Sequence, residues 1–122
     1  PNDGYDLKSY SYVVAGPDGT VRTGRYPIAD NCRSPLVNGS YAAHCGGFNG
    51  GSIGVSWCGM KGSDAAAGRF GHWPITAAQL HRGLAFSALL AHDLGLDVAN
   101  PAQAFTHREA WELHRVRGTV NH

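Results

Sequence analysis

The chain has 122 residues, 43% hydrophobic and 16% charged, with a formal net charge of +1. These are values of one globular domain with a real core, and they exclude a disordered chain. The near-neutral balance argues against a dedicated nucleic-acid binder, and no apolar run reaches the roughly 20 residues of a membrane span.

In chain order, residues 1–9 are polar and read as loop. Tyr10 to Ala15 is a β-branched and aromatic run, which predicts a strand. Gly16-Pro17-Asp18-Gly19 predicts a tight reversal, because Pro presets φ and Asp-Gly favours a turn. Thr20 to Arg25 then pairs back as the second strand of a hairpin. Residues 26–43 carry Pro27, Asn31, Pro35, Asn38 and Gly39 and predict a long irregular loop, a feature uncommon unless functional. A strand is expected over residues 52–58, where Ile53, Val55 and Trp57 alternate with smaller residues. Residues 59–74 read as loop.

A helix follows, opened by a Thr76-to-Gln79 capping box and closed at Gly95. Leu80, Gly83, Leu84, Ser87, Ala91 and Leu94 share one face at helical spacing and predict a packing element, with His81 and His92 on the solvated side. Ala104 to Thr106 predicts a short strand that delivers His107 at its end. Residues 108–122 lack a clean period and read as loop with one helical turn. The sum is an α/β domain: a mixed central sheet with packed helices, over residues 1–122.

Cys32, Cys45 and Cys58 lack C-x-x-C spacing, so a zinc ribbon is not expected. Reduced or small buried thiols are the plain reading; a Cys32–Cys45 or Cys45–Cys58 bridge stays open.

The most informative stretch runs from His44 to Val55. Glycines at 46, 47, 50 and 51 allow positive φ and close approach to the main chain, on a loop that carries one imidazole and one carboxamide. His44, Gly47, Asn49, Ser52, Ile53, Gly54 and Val55 form a pattern H-x-x-G-x-N-x-x-S-I-G-V. It resembles the central motif of the zinc N-acetylmuramoyl-L-alanine amidases of type 2. That superfamily includes amidase-type phage lysozymes and the peptidoglycan-recognition proteins. The hairpin, Y-x-Y-V-V with P-D-G-T-V-x-x-G-R, is similar to the family's strand–turn–strand.

The resemblance implies a mixed α/β sheet with helices on both faces and a zinc groove above the strand ends. It implies a peptidoglycan hydrolase cutting the amide between N-acetylmuramic acid and L-alanine, of a phage or bacterial lytic type. Zinc would be the cofactor, lowering the pKa of a bound water to about 7 and polarising the carbonyl. His107, in Thr106-His107-Arg108-Glu109, would be a zinc ligand, with Glu109 as its orienter or as plain surface. Tyr10 would stabilise the developing oxyanion, a role that could slide to Tyr12. His44 and Asn49 would contact the muropeptide, and Trp73 would stack on a sugar or fill the core. The partner would be peptidoglycan, with no nucleic acid or membrane and a monomeric chain. Its place would be the bacterial cytoplasm before action on the wall, or a virion.

The family's early-strand histidine has no counterpart, since residues 1–9 contain no His. The third ligand is expected beyond Arg115-Val116-Arg117-Gly118, where the sequence ends at His122. Arg115 and Arg117 are the cations nearest the place of an assisting lysine. The start at Pro1, the missing ligands and the ending at Asn121-His122 read as a domain trimmed at both ends; a domain that has lost its metal is the rival. Replacement ligation by His44 or His122 stays open beside them, as does a non-catalytic peptidoglycan-binding module of the same fold.

Overall fold

The computed structural model describes residues 4–64 and 66–114. Its elements, in order, are α1 (Gly4–Ser9), β1 (Tyr12–Ala15), β2 (Thr20–Thr23), a 3-10 helix (Ile28–Cys32), β3 (Val55–Trp57), α2 (Ala77–Asp93) and α3 (His107–His114). Three strands form one sheet in the order β2-β1-β3. The β1–β2 pair is antiparallel, with Tyr12 opposite Thr23 and Ala15 opposite Thr20. The β1–β3 pair is parallel, with Tyr12 opposite Val55 and Val14 opposite Trp57. The sheet is therefore mixed, and the class is α/β.

β1 is the central strand, and its composition shows why. Val13 and Val14 are completely buried and Ala15 nearly so, as expected of a strand covered on both faces. β2 is an edge and mostly exposed. The hairpin forms at the Pro17–Gly19 turn, where the Gly19 N–H reaches the Gly16 carbonyl at 3.2 Å.

α2 packs against all three strands. Its capping box is complete: Thr76 Oγ1 accepts from the Gln79 N–H at 3.1 Å, and the Gln79 Oε1 accepts from the Thr76 N–H at 2.9 Å. Thr76 Oγ1 also donates to the Pro17 carbonyl at 2.7 Å, fixing the hairpin turn on the helix start. Of the expected face, Gly83 and Ala91 form the packing seam and the leucines do not. Gln79, Gly83 and Ala91 are buried, whereas Leu80 and Leu84 are 52% and 54% exposed. Small residues at the seam let the sheet come close. A Cβ on Gly83 would lie 2.5 Å from Trp57 Cε2, and the Trp57 indole N–H donates to the Gln79 carbonyl at 3.0 Å. His81 and His92 are exposed, as expected.

Two expected elements are corrected. Residues 4–9 are α1 rather than loop, tied to the sheet region by the Arg25 N–H on the Leu7 carbonyl at 2.6 Å. Residues 104–106 are not a strand, and 107–114 are helix. The reason is a second capping box. Thr106 Oγ1 accepts from the Glu109 N–H at 3.2 Å, and Glu109 Oε2 accepts from the Thr106 N–H at 2.7 Å. His107 therefore opens a helix instead of ending a strand. The Arg115–Val120 stretch and His122 lie outside the described residues. No helix among the described residues is long and apolar enough to cross a membrane.

Candidate functional site

The 42–52 loop reaches the sheet through Gly54, which stitches the start of β1 to the start of β3. The Gly54 carbonyl accepts from the Ser11 and Tyr12 N–H groups at 3.0 and 3.1 Å, and its own N–H donates to Ser11 Oγ at 3.3 Å. With the backbone held from both sides, the space a side chain would use at 54 belongs to His44. A Cβ there would lie 2.6 Å from His44 Cδ2 and 2.7 Å from its Cβ. Glycine at this position is what admits the imidazole.

The structure brings three of the four candidate residues together. Tyr10, His44 and His107 line one open cleft of about 1150 Å³. The Tyr10 ring stacks on His44 at 6.3 Å between centroids and 22° between planes. It meets His107 at 6.3 Å and 34°. Phe48 packs edge-to-face on Phe105 at 5.0 Å, which joins the His44 loop to the segment carrying His107. Tyr12 points elsewhere, packing on Phe86 of α2 at 4.9 Å. Tyr10, not Tyr12, is thus the phenol at the cleft. Leu90, Leu94, Leu96 and Val98 give the other part of the cleft an apolar wall.

Asn49 behaves differently from the other three. It does not line the cleft, and its Oδ1 accepts from the Cys45 N–H at 2.8 Å. Its carboxamide oxygen thus braces the loop from within. Ser52, beside the sheet, donates its hydroxyl to the Phe48 carbonyl and closes the same loop. Of the four loop glycines, Gly47 and Gly51 adopt positive φ, 87° and 68°.

His44 is 7% exposed, and its buried Nε2 has no hydrogen-bond partner among the described residues. Burial is the largest influence on its pKa and holds the imidazole below its ordinary value; the neighbouring His107 pushes in the same direction. A buried polar nitrogen without a partner costs free energy.

No disulfide joins Cys32, Cys45 and Cys58. Burial raises the Cys45 pKa, and burial together with Asp6 pushes Cys58 up to about 11. Neither is a thiolate near neutral pH. Glu109 is an exposed cap whose carboxylate is held low by its bonds to Thr106, so its shown role is to start α3. Trp73 is 64% exposed and does not fill the core. Among the described residues no group of three or more His, Cys, Asp or Glu could hold a metal ion.

Sequence reasoning missed the group that shapes the place of His44. Gly54 was visible only as a motif position, because close approach depends on the partner brought across. No family model matches the chain, and neither a curated protein nor a solved structure matches it.

Proposed function

We propose that the Tyr10–His44–His107 cleft binds the muramoyl–L-alanine junction of peptidoglycan. The chain would then act with the zinc N-acetylmuramoyl-L-alanine amidases its His44–Val55 motif and hairpin resemble. The observation that carries this reading is that Tyr10, His44 and His107 line one cleft, the Tyr10 ring stacked on one imidazole and meeting the other. An amide offers one donor and one acceptor. The His44 imidazole would pair with one of them, and the Tyr10 hydroxyl suits the carbonyl or the oxyanion developing from it. The coarse α/β sheet with a packed helix is compatible with an amidase-like fold.

The donor set for zinc is not complete in the described residues. A catalytic zinc takes three protein ligands and keeps one open position. His107 is the one described residue that the resemblance makes a ligand, and no cluster of three or more donors surrounds it. We therefore derive no hydrolytic step through the metal. The same observation favours a second reading, a peptidoglycan-binding module that grips the muropeptide without cutting it.

Titrating the chain with a muramyl-L-alanyl peptide, with and without zinc, tests both readings. Saturable binding lost in His44→Ala supports the cleft. Release of the free peptide in the presence of zinc selects the amidase, and binding without release selects the module. Absence of binding would sink both.

A further inference from the structure

We infer that Asn31 is the positioning residue that holds His44 at the cleft; the inference rests on reading His44 as a ligand contact. Asn31 sits on the 3-10 helix, far from the motif in sequence, and is 1% exposed. Its carboxamide is fully used. Nδ2 donates to the Ala42 carbonyl at 2.9 Å and to the Asn49 carbonyl at 2.7 Å. Oδ1 accepts from the Ala42 N–H at 3.1 Å. The Asn31 backbone carbonyl accepts from the Gly51 N–H at 2.7 Å.

The partners lie on both sides of His44 in sequence. One buried side chain thus closes the loop where it starts, at Ala42, and where it returns, at Asn49. Within that bracket, Asn49 Oδ1 holds the Cys45 N–H. The residues flanking His44 are pinned, and the imidazole has one place to go, over Gly54. The chemistry demands asparagine. Aspartate would keep the acceptor but set a buried carboxylate against two carbonyls, and leucine of similar shape would leave two carbonyls and an N–H unmet. A residue that merely filled the core would destabilise the molecule evenly. A positioning residue should displace His44 selectively.

The test is Asn31→Ala, read by NMR and by titration with a muramyl-L-alanyl peptide. The expected result is loss of the ring-current shift that Tyr10 imposes on His44, and binding weaker by about tenfold. The Tyr12–Phe86 contact should persist in the same sample. A folded variant with the His44 signals unchanged would overturn the inference. Loss of the ring-current shift with unchanged peptide affinity would support positioning by Asn31 and overturn the ligand role of His44. Should the variant not fold, hydrogen exchange on the unaltered chain decides. The amides of Ala42, Cys45 and Gly51 should share one slow opening. Exchange of any of them at free-loop rates would refute the bracket.

Discussion

Gly54→Ala is the sharpest probe of how the site is built. The added Cβ would stand 2.6 Å from His44 Cδ2, where carbon atoms prefer about 3.5–4.0 Å. Something must move by roughly 1 Å. The backbone at 54 cannot yield cheaply, since its carbonyl and N–H are bonded to Ser11 and Tyr12. The imidazole must give way and leave its slot. Forcing extra volume into a packed site costs about 1–3 kcal/mol. With a urea slope of about 1 kcal/mol/M, the unfolding midpoint should fall by about 1–3 M at unchanged slope. Muramyl-peptide affinity should drop a further 2- to 10-fold or so, the worth of one hydrogen bond. Gly50→Ala is the control in the same loop, because its Cβ would meet only Leu36 Cδ1 at 3.7 Å. If Gly54→Ala matched this control in midpoint and His44 chemical shift, the close-approach argument would be wrong.

Further outcomes follow from the same geometry. Gly83→Ala should expel the Trp57 indole from α2 and quench or shift its fluorescence, with about 1–3 kcal/mol lost; an unchanged spectrum would contradict the close seam. Stability should be full above pH 6.5, the ordinary value for His44, and fall as pH drops through it toward the lower folded value, because the unfolded chain binds the proton that the buried ring refuses. Urea midpoints measured against pH check this, and His44→Phe should flatten that part of the curve. Thr106→Ala removes the N-cap of α3 and should cost about 1 kcal/mol; amide exchange confined to residues 107–110 would register it, and no change there would deny the cap. Zinc titration by calorimetry should give weak binding that declines further in His107→Ala. Tight stoichiometric binding untouched by that change would remove His107 from the metal's ligands.

Legibility in the sequence tracked how local each signal was. α2 was readable from Thr76, Gln79 and Gly95, and the hairpin from Pro17 to Gly19, because caps and turns act over three or four residues. α3 carried the same local signal in Thr106 and Glu109, yet its short apolar approach, Ala104-Phe105, suggested a strand. The cap prevailed. α1 has only six residues, and it is held by Arg25 and β1 across the chain. The helix seam at Gly83 depended on Trp57 arriving from β3. In the site, Tyr10, His44 and His107 could be named from residue type and motif. That Asn49 turns its oxygen inward could not, since the Cys45 N–H it serves is set by the fold of the loop.

The hydroxyl of Thr76 has a consequence for how the molecule opens. It completes the first turn of α2 and holds the Pro17 carbonyl, while Gln79, its cap partner, donates Nε2–H to the Cys58 carbonyl at 2.7 Å. The helix with the strongest autonomous signals therefore begins on a node shared with the hairpin turn and the end of β3. Elements joined at such a node unfold as one cooperative unit rather than fraying singly. Thr76→Ala would split that unit, leaving the first turn of α2 to exchange ahead of the sheet it now opens with.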